Sequence, residues 1–300
     1  AENNYIPNNS ARNLKSTKSN SVALLVKSIA NPFFQKMINV IEQKVALRGY
    51  QLFIQNVNDM QSELDMAIQE AQDKNLQGVI IMGGSFNYSA NELKRLKIPC
   101  VFLTVSAGKE VPLDSYSSIR IDDEAEACKA VEYLISMGHK RIGFIYNAPL
   151  DKMTPNSLRH KGYLQALEKH KIPFDPALVA TDYSVASGYD FGFKMMNQLL
   201  MKNKDMTAVF AFADTVAIGA AKAVLSRGLR IPEDISIIGF DGIEEAEYFH
   251  PSLDTISQPA EQMALSSVEL LFDMLKNGET KHLIYESSLL RRGSCAPINN

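Results

Sequence analysis

Short apolar runs alternate along the chain with segments of helical period, starting at Ser21. Residues 22–26 form a continuous apolar run, which suits a strand buried on both faces of a sheet. Asn31 can cap a helix whose first residue is Pro32, and apolar residues then recur at helical spacing until Gly49. The pattern predicts a strand, a loop and a helix, the unit from which parallel sheets are built.

The same alternation repeats to the end of the chain. It predicts further strands at residues 50–54, 78–82, 99–103, 141–145, 178–180, 208–212 and 235–240. It predicts helices around residues 64–71, 123–137, 157–170, 187–201, 215–227 and 260–276, the last ending at Gly278. Two similar α/β lobes follow, with their boundary at residues 147–155, where two prolines flank a polar stretch.

Composition narrows the class of protein. The 300 residues are 46% hydrophobic and 22% charged, as in ordinary globular proteins of one or two domains. No apolar run reaches the roughly 18 residues that a membrane helix needs. The net charge is −3; residues 1–20 hold three basic residues and one acid (+2), which leaves −5 for the rest. That acidic remainder is not expected to bind nucleic acid through charge.

Cysteine usage and the N-terminal segment favour the cytoplasm. The three cysteines, Cys100, Cys128 and Cys295, form no CxxC pair, so neither a disulfide framework nor a cysteine zinc site is expected. The first 20 residues are polar and lack the apolar core of a secretion signal.

Motifs of common enzymes are missing from the sequence. It contains no GxxxxGK[ST], GxGxxG, GxSxG or HExxH pattern, and its five histidines are scattered without metal-ligand spacing. We therefore expect no catalysis, no metal and no cofactor.

Residues that follow predicted strands are candidates for a binding cleft, because ligands of such sheets lie outside the carboxyl ends of the strands. Aromatic, glycine and carboxylate residues occupy these positions: residues 28–33, 83–85, Asn147, Asp214 and Asp241. This mixture suits a small polar molecule. Each residue also has a plainer interpretation. Asp214 fits a helix N-cap better, and Asp241 equally fits a turn. Phe33 could pack inside the first turn of its helix, and Arg159 could lie on a solvent-exposed helix face, as most arginines do.

Residues 5–14, Tyr-Ile-Pro-Asn-Asn-Ser-Ala-Arg-Asn-Leu, resemble the end of the DNA-binding headpiece and the hinge helix of the LacI/GalR (lactose and galactose repressor) family of bacterial transcriptional regulators. Further matches to that family cover nearly the whole chain. They are residues 31–34, residues 138–142, Arg159 with Gly162 and Tyr163, Asp214 with Ala217 and Gly219, residues 239–241, and residues 255–259.

The resemblance implies a type I periplasmic-binding-protein-like fold: two Rossmann-like lobes joined by three crossovers, each a parallel sheet with helices on both faces. It assigns residues 1–20 to a headpiece tail, hinge helix and linker, with most of the helix-turn-helix headpiece missing. Residues 21–149 and 260–287 would form the N-terminal lobe, which carries the dimer surface and part of the effector site, with the last long helix placed there by analogy. Residues 150–259 and 288–300 would form the C-terminal lobe. The implied partners are operator DNA, a small effector and a second copy of the chain.

The hinge implied by the resemblance spans residues 8–16, which is too short for a helix that is stable alone in water. Its expected DNA contacts are Asn8, Ala11, Arg12, Leu14 and Lys15. Leu14 matches the family's leucine that inserts into the minor groove and bends the duplex. Arg12 and Lys15 would add phosphate contacts.

The resemblance also implies an effector site. Its six residues would be Phe33, Arg159, Phe210, Asp214, Asp241 and Gln258. Asp241 and Arg159 match the two charged groups that clamp the ligand, and a carboxylate beside a guanidinium suits the vicinal hydroxyls of a sugar. Phe33 and Phe210 match positions that form the wall of the family's effector site. Asp214 matches a position near the mouth of the cleft, and Gln258 matches a contact residue at a crossover between the lobes. A sugar or sugar derivative is the expected effector, with a purine as the alternative.

Our hypothesis from the sequence is that effector binding closes the lobes and shifts the dimer surfaces of the first lobe. The distance between the two hinge helices then changes, and operator affinity changes with it. Induction and corepression both fit this scheme. The alternative class is an extracytoplasmic sugar-binding or solute-binding protein for transport or chemosensing, which shares the two-lobed core. A sugar-modifying enzyme is a more distant third.

Overall fold

The computed structural model describes residues 20–58, 61–148 and 152–298. The predicted hinge contacts Asn8, Ala11, Arg12, Leu14 and Lys15 lie outside the described residues.

Six parallel strands form the first sheet. They are β1 (Ser21–Lys27), β2 (Gln51–Val57), β3 (Gly78–Met82), β4 (Cys100–Leu103), β5 (Ser117–Ile121) and β11 (His282–Tyr285), in the spatial order β11-β5-β4-β3-β1-β2. Helices α1 (Pro32–Leu47) and α9 (Ala260–Asn277) pack together on one face, and α2 (Glu63–Asp73) and α3 (Ala90–Arg95) lie on the other.

The alternation of side chains along β1 explains why its apolar run is continuous. Val22 and Leu24 pack in one core cluster with Met37 of α1, whereas Ala23 and Leu25 pack in a second cluster on the opposite face. Because successive residues of a strand point to opposite faces, a strand covered on both sides needs apolar residues at every position. Asn31 caps α1, as the sequence predicts, by accepting a hydrogen bond from the backbone of the second helical residue.

The second sheet repeats this arrangement. Its strands are β6 (Ile142–Ile145), β7 (Val179–Ala180), β8 (Ala208–Ala211), β9 (Ser236–Asp241), β10 (Asp254–Ser257) and β12 (Ser288–Leu290), in the order β12-β10-β9-β8-β6-β7, with β12 antiparallel. Two packed helix pairs, α4 (Asp123–Ser136) with α5 (Pro155–Lys169) and α6 (Tyr189–Lys202) with α7 (Asp214–Ser226), contact this sheet, and α8 (Glu244–Tyr248) follows β9. The predicted fold class, two α/β lobes built on parallel sheets, is confirmed.

The chain passes between the lobes at three places: between β5 and α4, between β10 and α9, and between β11 and β12. The predicted boundary at residues 149–150 is wrong, because β6 already belongs to the second sheet and α4 packs on α5. The first crossing consists of Asp122 alone, and so short a link carries no shift in composition. The described residues of this stretch, 147–148 and 152–155, lie instead within the second lobe, after β6 and up to the start of α5. Among the described residues, no helix is both long and apolar enough to span a membrane.

Candidate functional site

Four polar side chains meet where the lobes join; we call Asp123, Arg159, Asp241 and Gln258 the clamp cluster. The Arg159 guanidinium donates to Asp123 Oδ1 at 2.9 Å through Nε, and its NH1 nitrogen lies 3.4 Å from Asp241 Oδ1. NH1 also donates to the backbone oxygen of Phe212 at 2.6 Å. Gln258 Nε2 donates to Asp241 Oδ1 at 2.7 Å. The structure thus brings together three of the six predicted effector residues, Arg159, Asp241 and Gln258.

The clamp cluster is buried. Asp123 is 1% exposed, Arg159 6% and Asp241 5%, and the guanidinium carbon lies 3.7 Å from the centre of the Phe240 ring. Burial raises the pKa of Asp241 to about 6, although the positive charge of Arg159 opposes this rise. Burial also raises the pKa of Asp123. The clamp groups satisfy one another, so a ligand that uses them must replace contacts such as Arg159 to Asp241.

Local sequence explains why Arg159 reaches Asp123. Helix α5 begins with a capping box in which Thr154 and Ser157 exchange hydrogen bonds, with Pro155 at its first position. Gly162, one turn after Arg159, packs so closely on α4 that an added Cβ would lie 2.2 Å from a backbone oxygen of that helix. This close approach brings α5 alongside Asp123, the first residue of α4.

Asp241 is held in an unusual backbone conformation. Its φ angle is 112°, a region that residues other than glycine rarely adopt. Its backbone oxygen accepts a hydrogen bond from the Gln258 amide at 3.1 Å, and Gly242 follows with a positive φ. Strain of this kind concentrates at functional sites, which favours the ligand-binding interpretation of Asp241 over an ordinary turn.

Asp214 serves the loop after β9 and does not line the cleft. Its Oδ2 accepts backbone hydrogen bonds from Gly242 at 2.7 Å and Ile243 at 2.9 Å, and its Oδ1 accepts one from the Thr255 hydroxyl at 2.6 Å. It is fully buried, so its predicted place at the cleft mouth is wrong. The N-cap interpretation is also wrong, because Ala213 holds that position. Burial and then the charge of Asp241 raise the pKa of Asp214 to about 8.

These raised pKa values predict that stability falls as pH rises. An unfolded aspartate titrates near pH ~3.9, so between about pH 4 and 8 the folded protein binds more protons and loses stability with increasing pH. Asp214→Asn keeps one oxygen for the two backbone donors and cannot ionise. We expect urea unfolding of this variant to show a flatter dependence of stability on pH than the wild type between about pH 6 and 8, because Asp214 titrates in that range and asparagine does not. Asp65→Asn, at an exposed position, is the control. A slope equal to that of the wild type in Asp214→Asn would contradict the assignment.

The two predicted wall residues differ in position. Phe210 lies within β8, fully buried, with its ring stacked on Phe144 at 5.1 Å. It is therefore a core residue of the second lobe, and its predicted role at the cleft wall is wrong. Phe33 lies in the first turn of α1, just beyond the carboxyl end of β1, and is 5% exposed. It stays a predicted contact of the first lobe.

Asp123 is the member of the clamp cluster that sequence reasoning missed. It lies two residues after β5, at the carboxyl edge where ligands bind, but β5 was not predicted from the sequence. The signal available was the acidic pair Asp122 and Asp123 after the alternating stretch of residues 117–121. Among the described residues, no group of three or more His, Cys, Asp or Glu side chains could hold a metal ion.

Comparisons with known proteins identify the family. The family described as "Periplasmic binding protein-like domain" matches residues 131–295. The chain is 38% identical over 301 aligned residues to the transcriptional regulator MalR of Clostridium butyricum, covering 99% of this chain and 88% of that protein. It is 32% identical to the repressor CytR of Escherichia coli strain K12, covering 97% of this chain and 83% of CytR. The chain belongs to the LacI/GalR family of transcriptional regulators.

Solved structures agree with this family assignment. A complex of the regulator CelR with cellobiose has a TM-score of 0.79 at 25% identity, covering 95% of this chain and 88% of that one. A LacI family regulator from Enterococcus faecium with bound ribose has a TM-score of 0.79 at 27% identity, covering 93% and 100%. The resemblance to the LacI/GalR family drawn from the sequence motifs is confirmed.

Proposed function

We propose that this chain is a ligand-responsive, DNA-binding transcriptional regulator of the cytoplasm. Its core would bind a sugar or sugar derivative between the lobes and thereby control the affinity for an operator. The observation that carries the proposal is the clamp cluster, in which Arg159, Asp241 and Gln258 meet at the junction of the lobes. Their guanidinium, carboxylate and amide groups provide donors and acceptors suited to vicinal hydroxyls.

The position of the clamp cluster suggests how binding would be transmitted. Asp123 directly follows the first crossing between the lobes, and Gln258 is the first residue of the second crossing. A ligand that replaces the contacts of Arg159 would therefore change interactions at both connections. The free energy by which the ligand shifts the equilibrium between two lobe arrangements equals the difference between its binding free energies for the two arrangements. Either sign of regulation fits this mechanism.

Names of the relatives support a sugar as the effector. The similar solved regulators are described with cellobiose and with ribose, and a relative from Haemophilus influenzae is the ribose operon repressor. PurR of Actinobacillus pleuropneumoniae is also similar, at 31% identity over 99% of this chain. A purine, the alternative that the sequence left open, stays the second candidate ligand class.

The protein would act as a homodimer. The family resemblance puts the dimer surface on the first lobe, and we propose that an exposed groove in the second lobe extends the interface. The groove has a volume of about 500 Å³ and is lined by Tyr189, Asp190, Phe193, Ile218, Gly219, Lys222 and Phe249. Its aromatic and aliphatic side chains would be covered by a second copy, since large apolar patches on soluble proteins mark interaction sites.

Ile218→Glu is expected to weaken the dimer, because it would place a charge in the centre of this interface without a partner. Sedimentation velocity would then show a shift from dimer to monomer at low micromolar protein. Leu225→Glu is the control, since Leu225 is 42% exposed on the same helix and does not line the groove. If Ile218→Glu remains a dimer at the same protein concentration, this groove is not part of the dimer interface.

A thermal-shift screen tests the effector class, because a ligand that binds only the folded state raises the melting temperature. We expect a neutral or modified sugar to give the largest rise, and a purine that outranks every sugar would overturn the sugar assignment. Selection of bound sequences from a random DNA pool, with the full-length gene product, tests the regulator itself. Sugar binding with no selected DNA would favour a solute-binding protein.

A further inference from the structure

We propose that Lys27, Glu63 and Tyr88, here called the lobe-1 triad, form the first-lobe half of the effector site, and that the complete site selects an uncharged polyhydroxyl ligand over phosphorylated or carboxylated ones. This inference rests on the proposed function, because it takes the clamp cluster as the other half of the same site.

The triad converges at the carboxyl edge of the first sheet. Lys27 is the last residue of β1, and its Nζ lies 2.7 Å from Oε1 of Glu63, the first residue of α2. Gly84, just after β3, allows the side chains to meet. A Cβ at Gly84 would lie 2.4 Å from the Tyr88 hydroxyl oxygen and 3.1 Å from Glu63 Oε1. Three separate elements therefore place an ammonium, a carboxylate and a phenol together.

Two buried hydroxyls at this edge lack well-placed partners. Tyr88 is 5% exposed and Thr104, just after β4, is 8% exposed. Among the described residues, neither hydroxyl has a partner in good hydrogen-bond geometry, although the Tyr88 phenol lies close to Glu63 and to the Ser85 backbone. Unsatisfied buried hydroxyls cost stability and are rare. Burial and then the Glu63 charge raise the pKa of Tyr88, so its phenol keeps its proton and remains a donor. Thr104 also has a positive φ of 72°, and such strain favours a functional role for this edge.

The segment that leads from Gly84 to Tyr88 contacts the second lobe. The backbone amide of Phe86 donates to the backbone oxygen of Met153 at 2.8 Å, and the amide of Met153 donates to Asn87 Oδ1 at 2.9 Å. These contacts join the segment between Gly84 and Tyr88 to the residue just before the cap of α5. Since α5 carries Arg159, the triad and the clamp cluster lie on opposite sides of one junction.

The charge of the two halves favours a neutral ligand. Lys27 and Glu63 compensate each other. Around the clamp, Arg120 and Arg159 face three carboxylates, Asp122, Asp123 and Asp241, a formal sum of −1. Asp214 is left out of this sum because its pKa is raised to about 8, so it is largely protonated near pH 7. A phosphate or carboxylate would add like charge to a buried site, which is unfavourable. Neutral hydroxyls can donate to Glu63 and Asp241 and accept from Tyr88 and Gln258.

Titration calorimetry with matched pairs of sugars tests the charge selectivity. The probes are glucose, maltose, cellobiose and ribose, together with glucose 6-phosphate and glucuronate. We expect a neutral sugar to bind, and each anionic probe to bind more than about tenfold more weakly than that sugar. Glu63→Gln leaves the Lys27 ammonium without a paired carboxylate, so this variant should show a smaller difference in affinity between the neutral and the anionic probes. An anionic probe that binds the wild type as tightly as the best neutral sugar would overturn the inference.

Tyr88→Phe tests the site without the usual ambiguity about folding. It removes a hydroxyl that has no protein partner in good hydrogen-bond geometry, so the melting temperature should stay unchanged or rise. The affinity for the same sugar should fall by about tenfold. Tyr116→Phe is the matched control, because Tyr116 is buried in the same lobe but its hydroxyl contacts Ser106 Oγ at 3.2 Å. That variant should lose stability and keep its affinity.

The outcomes separate this inference from the proposed function. If no sugar binds the wild type, both the sugar assignment and this inference are overturned. If a sugar binds and Asp241→Asn abolishes binding, but Tyr88→Phe and Glu63→Gln bind as tightly as the wild type, only the lobe-1 triad is overturned. A fall in melting temperature in Tyr88→Phe as large as that in Tyr116→Phe would also count against it, because the hydroxyl would then have a structural partner.

Discussion

Replacing Arg159 with methionine is expected to lower the free energy of unfolding by about 3–5 kcal/mol, because breaking a buried ion pair leaves charge without compensation. Arg159 touches Asp123 and Asp241, which are 1% and 5% exposed, and it also donates to a backbone oxygen. Methionine fills part of the volume but donates no hydrogen bond. Two buried carboxylates would then share the site without a cation.

Urea unfolding of Arg159→Met and Arg141→Met would measure this loss. Arg141 also pairs with two aspartates, Asp175 and Asp205, but its side chain is 36% exposed, so its removal should cost no more than about 1 kcal/mol. Without the arginine, the pKa values of Asp123 and Asp241 rise further. The folded variant then binds more protons than the unfolded chain, so its deficit should shrink as the pH falls from about 7 to 5. If Arg159→Met loses no more unfolding free energy than Arg141→Met, or if its loss does not change with pH, the buried ion pair does not contribute as proposed.

The sequence correctly predicts the elements whose buried residues form a continuous apolar run or a regular apolar stripe in one short stretch of the chain. The apolar run of residues 78–82 is β3, and its five residues are all buried. Such runs carry their own signal, because both faces of the strand are covered. Helix α1 likewise has its cap, its first proline and its apolar stripe in one stretch of sequence.

Two of the strands that the sequence pattern missed, β5 and β10, contain buried polar residues whose partners are distant in sequence. Ser117 and Ser118 of β5 are buried, and their hydroxyls contact the Lys281 amide and the His282 ring, 164 residues away. Asp254 of β10 is buried and accepts hydrogen bonds from backbone amides 38 and 40 residues later in the chain. Because those partners come from elsewhere in the fold, no local window of sequence shows that these polar residues are satisfied.

The candidate site was predictable in its location but not in the direction of each side chain. Arg159 and Asp241 do meet, yet Phe210 points into the core and Asp214 holds a loop. Both lie near the carboxyl end of β8, where ligands are expected. However, side chains alternate between the faces of a sheet, so a residue's distance from the end of a strand does not say which face it occupies.

Asp241→Asn is expected to lower the affinity for the effector by about 100-fold, since losing a charge-assisted hydrogen bond costs about 1.5–3 kcal/mol. Asp241 Oδ1 contacts both Arg159 and Gln258, and in the bound form the carboxylate would accept two ligand hydroxyls. Asparagine keeps the shape and tolerates the positive φ of this position. It has one acceptor oxygen in place of two, and it lacks the charge that orients the guanidinium.

The same substitution should change stability little at about pH 4 and increase it at about pH 7, which separates loss of binding from loss of folding. Burial raises the folded pKa of Asp241 to about 6, whereas an unfolded aspartate titrates near ~3.9, so the wild type loses stability as the pH rises from about 4 to 6, and asparagine removes this loss. Calorimetry with the sugar found by thermal shift, and urea unfolding at both pH values, would measure the two effects. Asp114→Asn, at an exposed carboxylate, should change neither. If Asp241→Asn binds the sugar as tightly as the wild type, the clamp cluster is not the effector site, because this carboxylate is the group on which its two other predicted members converge.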